Sequence, residues 1–483
     1  MAFMSARQSK RVNSNLGIVS KNGEKNKTYR SDILNTYDQY ILSTQYDDKM
    51  DWDEANIASK ANYVGIKCRK PKIIYNFGKV LTNRVAAKLV GRDVFPSVAV
   101  DDDPLSEEFY KLVMKRSGLQ VHLIPAMRRL GISGSAFIRF KFVMGQPILE
   151  SYNSNYCYPT FSPTGELDSI KVQYVYTDEE DKDEFGKPKQ KWFRIDLNTQ
   201  SDIAYDNPEY DKNAMQEPDF TITERVDHGL GFVQGEWFKT SDDPLKVDGD
   251  SLLGDILGFI DELNYSLSQS SQAVSYNQDP QLWFKGMDEE DIEQLVRSSS
   301  KSWGLGRDGE AGFLESNLNG VTVADAFRDA VRLNIQDIAR VVLLDPEKVV
   351  GHAQSGKAME VLHAPMIELI DELRPRIEPR ILSLLTKISL VYYMVGKSNP
   401  GILTVPAGFT PSLNVGLIWP EIFPQTMQDL RDKVQVVTSA TSANLISRET
   451  GTKWLAKDFD IDNVDDEVAK IAAQPVINPF GAF

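Results

Sequence analysis

The sequence is poor in the residues from which redox and metal sites are built. Its 483 residues include only two cysteines, Cys68 and Cys157, too few for a disulfide framework or a zinc cluster. None of its four histidines has the H-E-x-x-H spacing or the nearby acidic partner that is typical of a zinc ligand. We therefore expect no metal, no cofactor and a reducing compartment.

A long hydrophobic run is also missing. The longest lipid-like stretch, 388–396, is far shorter than the roughly 20 residues that cross a bilayer. Basic residues near the N-terminus are followed by no apolar segment, so no signal peptide is predicted. These absences predict a soluble cytoplasmic protein without a membrane partner.

The chain has no excess of basic residues. Lys and Arg total 54 against 69 Asp and Glu, which gives a net charge of −15. This balance excludes a protein that grips nucleic acid over its whole surface, because phosphate contacts need positive charge. It is compatible with a channel whose acidic wall repels nucleic acid and lets it slide. The length predicts about three domains, and 41 % hydrophobic residues are enough for a globular core.

Residue patterns divide the first half of the chain into helical and β-rich parts. Residues 28–95 are typical of helices, and a further helix is expected over 109–134. Between 136 and 240, aromatic and β-branched residues alternate or cluster as they do in strands. The acidic run 178–184 lacks the spacing and central Gly of an EF-hand, so we interpret it as a solvated hairpin tip. The predicted fold class is α+β, mainly helical.

Two long helices are predicted after residue 244. The apolar stripe of the first, over 250–277, consists of Leu252, Leu253, Ile256, Phe259, Ile260, Leu263 and Leu267. Beyond Leu267 this helix becomes rich in Ser and Gln, which predicts that it leaves the core of its own subunit. After an irregular segment, 279–321, the second helix is expected to begin at Thr322, whose hydroxyl is suited to capping it. Its predicted apolar face consists of Phe327, Val331, Ile335, Ile338 and Val342.

Shorter helical segments complete the pattern. Pro365, Pro375 and Pro379 are expected to bend or divide a long helical stretch over 357–395. From about residue 425 onward the sequence is typical of short helices.

Two Gly-rich motifs are similar to nucleotide-binding loops. Residues 304–309 spell G-x-G-x-x-G but lack the preceding strand and following helix of a dinucleotide fold. Residues 351–358 match a P-loop except that Ala358 replaces the Ser or Thr that ligates Mg²⁺. A helix end precedes this second motif where a strand is required, so a nucleotide-driven motor is an unfavoured alternative.

The order of these elements, with four short phrases, resembles the portal proteins of tailed double-stranded DNA bacteriophages. VDHGLGFVQGEWF (226–238) is similar to the phrase before the stem in that family, with Gln234 where Pro is usual. GDSLLGDILGFIDELNYSLSQ (249–269) resembles the first stem helix. AQSGKAMEVLHAPMIELI (353–370) resembles the tunnel loop and the start of the long helix. ANLISRETGTKWL (443–455) resembles a crown phrase and is followed by an acidic run.

The resemblance implies a structural, non-enzymatic protein that forms a ring, usually of twelve subunits, at one capsid vertex. Such a ring docks the terminase motor, passes double-stranded DNA without reading its sequence, and then holds a head–tail adaptor. The implied partners are therefore the protein itself, DNA, the major capsid protein, the motor and the adaptor. The implied location is the virion, after assembly in the host cytoplasm. A ring-forming tail adaptor or baseplate protein is the alternative within the structural class.

The resemblance also divides the chain into regions. These are a flexible tail, 1–27; a wing, 28–247, β-rich at 136–240; a first stem helix, 248–278; a clip, 279–321; a second stem helix, 322–350; a tunnel loop with a long bent wing helix, 351–424; and a helical crown, 425–483.

Candidate functional residues follow from the tunnel loop and the clip. The loop residues expected to face DNA are His352, Gln354, Ser355 and Lys357. A ring of Lys357 would contact phosphates without reading bases; the alternative is that Lys357 faces solvent in the first turn of the next helix. The clip residues expected to contact a neighbouring subunit or the motor are Trp283, Phe284 and Lys285. Packing between subunits is the simpler interpretation of these three.

Overall fold

The computed structural model describes residues 30–58, 64–100, 103–211, 218–243, 246–278, 281–286, 309–314, 319–342, 360–398, 415–422, 427–456 and 464–473, together with Phe459 and Ile461. The predicted tail 1–27, the 351–358 motif and the tunnel-loop residues lie outside this set. So does the 304–309 motif, apart from Gly309.

About half of the described residues are helical, so the chain is α+β but less helical than the sequence predicts. The helices are α1 (Arg30–Leu42), α2 (Trp52–Ala58), α3 (Phe77–Val90), α4 (Pro104–Arg116), α5 (Leu119–Ser133), α6 (Leu257–Gln278), α7 (Asn319–Ala339), α8 (Ala364–Ser398), α9 (Met427–Ser442), α10 (Arg448–Ala456) and α11 (Val464–Ala473).

The strands lie mainly between residues 135 and 239, where the sequence predicts them. They are β1 (Met50–Asp51), β2 (Arg69–Lys70), β3 (Ser97–Val100), β4 (Ser135–Val143), β5 (Gln146–Tyr152), β6 (Cys157–Phe161), β7 (Leu167–Lys182), β8 (Pro188–Asn198), β9 (Ser201–Tyr205), β10 (Ile222–Asp227), β11 (Gly235–Lys239), β12 (Gln281–Lys285), β13 (Glu310–Leu314) and β14 (Val415–Ile418).

Two antiparallel sheets form the β-rich part. The five-stranded sheet has the order β10-β9-β8-β7-β6, and the three-stranded sheet has the order β11-β4-β5. Their shared core includes Phe137 and Trp237 from the smaller sheet and Val172, Ile195 and Leu197 from the larger one. Each of these residues points to the inner face because side chains alternate along a strand.

The chain divides into two compact units. The first comprises 1–341 and 369–420, and the second comprises 342–368 and 421–483. In the second unit α9, α10 and α11 follow one another, as the short-helix pattern predicts. A Cβ on Gly451 of α10 would lie 3.1 Å from Val437 of α9, so the absence of a side chain lets these two helices approach closely.

Local signals explain where the helices of the first unit begin and end. Asn76 caps α3 by accepting a hydrogen bond from the amide of Lys79, and Asp103 caps α4 in the same way through Ser106. The stretch predicted as one helix over 109–134 is two helices. Gly118, between them, has a φ of +61°, a left-handed conformation that glycine adopts without strain.

A close approach of two backbones joins the sheet region to the segment that leads into α6. Gly134 ends α5 with a φ of +77°, and its carbonyl accepts hydrogen bonds from the amides of Thr240 and Gly249. A Cβ on Gly134 would lie 2.2 Å from the carbonyl oxygen of Gly249. Only glycine fits at position 134, where the two backbones approach. This contact sets where the chain enters the first long helix.

Candidate functional site

The two long helices pack against each other. α6 has 22 residues and α7 has 21, so each is about 30 Å long at 1.5 Å per residue. Ile260 and Leu263 of α6 are buried, as are Val331 and Ile335 of α7. The guanidinium of Arg328 on α7 donates a hydrogen bond to Ser270 on α6.

The base of α6 is fixed by a buried polar network. The carboxylate of Asp261 accepts hydrogen bonds from the hydroxyls of Tyr40, at 2.8 Å, and Tyr46, at 2.5 Å. Burial is the largest cause that raises the pKa of both phenols, and the hydrogen bond to Asp261 raises it further. Both hydroxyls therefore stay protonated and keep donating, which ties α1 and the following loop to the helix.

The Ser- and Gln-rich half of α6 is also held by its own subunit for two further turns. The hydroxyl of Ser268 accepts a hydrogen bond from the amide of Ile73, and the side chain of Gln272 accepts one from the indole of Trp52. From Val274 to Tyr276 the residues are exposed. The helix thus leaves the core of its subunit later than Leu267, the position that the sequence predicts.

The second helix differs from its prediction in two ways. It begins at Asn319 and ends at Ala339, so Thr322 lies inside its first turn and the predicted face residue Val342 lies beyond its end. Of the predicted apolar face, Val331 and Ile335 are buried, but Phe327 and Ile338 are exposed. Burial follows the side of the helix that faces α6, and this side is narrower than the whole apolar stripe.

The two exposed residues of that stripe, Phe327 and Ile338, form an apolar strip on α7 together with Val323, which was not included in the predicted face. The spacings of 4 and 11 residues place all three on one side of the helix. Their exposed fractions are 70 %, 48 % and 44 %. Val323 and Phe327 lie one turn apart, and Ile338 lies about 16 Å further along the same side of the helix. Large exposed apolar side chains on one side of a helix indicate a surface that another molecule covers.

Two short strands extend from the helix pair. β12 and β13 form an antiparallel ribbon, within the segment that the sequence predicts as irregular. Trp283 and Lys285 lie on one face of the ribbon and Phe284 on the other, because side chains alternate. Lys285 forms an exposed ion pair with Glu310, at 3.1 Å, and Trp283 lies against Gly312, where a Cβ would be 2.9 Å from its indole nitrogen. The structure therefore brings the three predicted clip residues onto one strand.

The turn that carries His228 is a compact structural motif. The Nδ1 atom of His228 accepts a hydrogen bond from the amide of Leu230, so the imidazole proton lies on Nε2. That atom is 3.4 Å from one carboxylate oxygen of Asp202, and the other oxygen of Asp202 accepts a hydrogen bond from Arg139. Gly229 and Gly231 both have positive φ angles, which lets the chain fold tightly here.

A buried carboxylate joins the long helix α8 to the three-stranded sheet. Glu236 on β11 is 1 % exposed. It accepts hydrogen bonds from Arg380 at 3.0 Å, Ser383 at 3.0 Å and Lys387 at 2.6 Å. These donors lie on one side of α8 at spacings of three and four residues. This site was not predicted from the sequence, although Glu236 is the one charged residue within the apolar stretch Gly235–Phe238. Its partners could not be predicted, because they lie more than 140 residues away in sequence.

The described residues show no further chemistry-bearing site. Among them no three His, Cys, Asp or Glu side chains are placed to hold a metal ion. In the same part of the chain no helix is long and apolar enough to cross a membrane.

Comparison with known families identifies the kind of protein that this helix pair and ribbon belong to. The family model "Phage portal protein, SPP1 Gp6-like" matches residues 26–475. The chain therefore belongs to this family of phage portal proteins, which are structural and non-enzymatic. Portal proteins are virion proteins of the head-to-tail connection, at a vertex of the capsid, and the family implies a part in DNA packaging.

Three of the solved structures that match the chain come from gene transfer agent (GTA) particles. A chain from the neck of a native GTA particle computed with C12 symmetry is 10 % identical with a TM-score of 0.42, over 94 % of this chain and 99 % of that one. A chain from the virion of the native GTA particle is 12 % identical with a TM-score of 0.39, over 78 % and 89 %. A chain from the neck of an empty GTA particle computed with C6 symmetry is 12 % identical with a TM-score of 0.39, over 78 % and 88 %. No curated protein matches the chain.

Proposed function

We propose that this chain closes into a ring of twelve subunits at one capsid vertex and forms the channel for double-stranded DNA during packaging and ejection. The ring also serves as the docking platform for the packaging motor and for the head–tail adaptor. The observation that carries this proposal is the apolar strip on α7, which the subunit leaves exposed. Membership of the portal family supports the same conclusion.

A ring explains how the strip can be covered. A heterologous contact uses two different surfaces of one chain and closes into a ring when the rotation between neighbours closes. In such a ring the strip formed by Val323, Phe327 and Ile338 packs against the helix pair of the next subunit. The exposed end of α6, which includes Val274 and Tyr276, offers apolar surface for the same contact.

The charge of the chain supports passage of DNA without capture. Twelve subunits at −15 each carry a total of about −180, which repels phosphates. DNA of any sequence can then move without stalling in tight complexes. We assign DNA contact in the channel to the loop residues His352, Gln354, Ser355 and Lys357, which lie outside the described residues.

The described elements support the regional assignment as well. In this proposal α6 and α7 are the stem, and the β12–β13 ribbon beyond them belongs to the clip. The sheets and α8 belong to the wing, and α9 to α11 form the crown. Trp283 and Lys285, on one face of the clip ribbon, contact a neighbouring subunit or the motor. The major capsid protein surrounds the ring.

The first experiment is electron microscopy of the purified protein together with its mass in solution. We expect a ring with a central hole and a mass of about 650 kDa, for twelve subunits of 54.3 kDa. A ring of thirteen subunits also supports the proposal, since closure needs only the right angle between neighbours. A folded 54.3 kDa monomer at every concentration would contradict it.

Deleting residues 351–357 tests the channel assignment. We expect rings of unchanged mass, because the stem contacts remain, and loss of DNA packaging into capsids. The measurements are solution mass and nuclease-protected DNA per particle. Monomers after the deletion would show that this segment belongs to the subunit interface and not to the channel.

A further inference from the structure

The β7–β8 hairpin projects from the five-stranded sheet. β6 pairs with β7 only up to Val172. The backbone at 208–210 hydrogen-bonds to β8 at Gln190 and Trp192, and the side chain of Glu209 pairs with Lys189. Beyond the Thr177–Gln190 pair, the two strands pair only with each other among the described residues. β7 bulges between Asp178 and Lys182, so the ribbon advances only by the three residues from Gln190 to Lys187, which is roughly 10 Å at about 3.3 Å each. An isolated two-stranded ribbon is only marginally stable in water, so this one gains from being docked.

The tip of the hairpin presents a fixed aromatic side chain. One carboxylate oxygen of Asp183 accepts hydrogen bonds from the amides of Phe185, at 2.9 Å, and Lys187, at 2.8 Å. Gly186 has a φ of +75°, as this tight turn requires. The turn holds Phe185 outward with 86 % of its surface exposed. Phe185 is therefore an exposed apolar side chain held on an ordered turn, and it is called the knob below.

The same tip is acidic. Residues 178–184 contain six carboxylates and one lysine. Asp178 and Asp181 are paired with Lys191, at 3.0 and 2.8 Å. Asp183 accepts the turn hydrogen bonds, and the other three carboxylates, Glu179, Glu180 and Glu184, are exposed near Phe185.

A groove on the first unit has the complementary character. It is an open groove of about 500 Å³ between β3, α4 and the start of α5. Its apolar walls include Phe95, Met114 and Val121, and Val121 is largely exposed. Lys111 and Lys115 line it on one side of α4, and Lys111 is already paired with Glu107 on the same helix.

We propose that, in the ring, the tip of the β7–β8 hairpin of one subunit docks into this groove of a second copy. Phe185 enters between the apolar walls, and Glu184 with its acidic neighbours lies next to Lys111 and Lys115. The inference rests on the proposed ring and adds a second contact between subunits, distant in sequence from the stem.

The second copy is the occupant because a ring needs two different, complementary surfaces on one chain. The knob and the groove are opposite in charge and alike in apolar character, and both belong to the first compact unit. Phe185 is exposed in the single chain, so its own groove does not hold it. The groove is larger than one phenyl ring and leaves room for the turn around it.

A disulfide test detects the contact directly. Phe185→Cys and Val121→Cys are combined in a chain that also carries Cys68→Ser, since Cys68 is exposed. Cys157 is buried and its thiol pKa is raised by burial, so it stays unreactive. After oxidation of assembled rings we expect a ladder of covalent oligomers up to the full ring. Chains with either new cysteine alone should give no ladder.

A charge exchange tests the contact without cysteines. Phe185→Ala should raise the concentration for half-assembly about tenfold or more, because the buried phenyl is lost. Glu184→Lys should raise it too, and adding Lys115→Glu should restore assembly. Met144→Ala is the matched control, because Met144 is 92 % exposed at the tip of the β4–β5 hairpin.

The outcomes separate this inference from the ring itself. Rings that form with no ladder and with an unchanged Phe185→Ala midpoint overturn the hairpin contact and leave the ring intact. The contact is also wrong if Phe185→Ala leaves the rings unchanged but prevents their entry into capsids, since the tip then binds another capsid protein. Absence of any ring overturns the proposed function, and this inference with it.

Discussion

Phe327→Asp is expected to leave the subunit folded and to abolish ring closure. Phe327 lies in the middle of the apolar strip on α7 and is 48 % exposed in the single subunit, so its replacement removes little of the subunit's own core. In the ring the new carboxylate is buried between apolar side chains with no partner. Such burial costs several kcal/mol at each interface, which is enough to oppose association.

Solution mass measures whether rings form, and circular dichroism measures whether the subunit is folded. The variant should run as a 54.3 kDa monomer with the helix content of the parent, at concentrations where the parent forms rings. Val226→Asp is the matched control, because Val226 is equally exposed but lies on β10, away from the helix pair. A variant that closes rings at the parent's concentration would place α7 outside the interface.

A second variant separates loss of the interface from loss of the fold. Ile335 lies on the side of α7 that its own subunit buries completely. Ile335→Asp should therefore reduce helix content and stability, whereas Phe327→Asp should not. If both variants lose helix content equally, Phe327 is needed for folding and the strip is not a free surface.

The strands and the hairpin tip were predictable because their signals are local. Alternation of apolar residues depends only on neighbouring positions, and it correctly locates β4, β5, β7 and β8. The acidic run at 178–184 was predicted to be a solvated hairpin tip. The structure confirms the hairpin but places 178–182 in β7 and the turn at 183–187.

The role of α7 was only half predictable. Helical periodicity correctly shows that Phe327, Val331, Ile335 and Ile338 share one side of a helix. It cannot separate burial by the same chain from burial by another copy, because both require the same apolar residues. Only the packing of α6 against α7 shows that Val331 and Ile335 face inward while Phe327 and Ile338 are left exposed.

Contacts between segments distant in sequence could not be predicted from local patterns. The groove between β3, α4 and α5, and the network around Asp261, each combine segments whose pairing depends on the whole fold. The start of α7 was wrong for a different reason. The hydroxyl of Thr322 is suited to capping a helix, but the helix already begins at Asn319, so this local signal did not set its start.

Glu236→Ala is expected to lower the free energy of unfolding more than any other single substitution of a charged residue at the contact between β11 and α8. Removing this carboxylate leaves Arg380 and Lys387 without their buried acceptor, and these side chains are only 31 % and 14 % exposed. Breaking a buried ion pair by deleting one partner typically costs about 3–5 kcal/mol, because the remaining charge stays desolvated. The free energy of unfolding should be measured by urea in the Phe327→Asp monomer, so that assembly adds nothing to it.

Two comparisons show whether charge or packing causes that loss. Asp227→Ala removes an exposed carboxylate paired with Arg225, and it should change the free energy of unfolding by less than about 0.5 kcal/mol. The triple variant Glu236→Leu, Arg380→Met, Lys387→Met replaces the buried charges by apolar side chains of similar size and should recover most of the stability. If the triple variant is as unstable as Glu236→Ala, the lost stability comes from strand and helix packing. The buried carboxylate would then not be what holds α8 on the sheet.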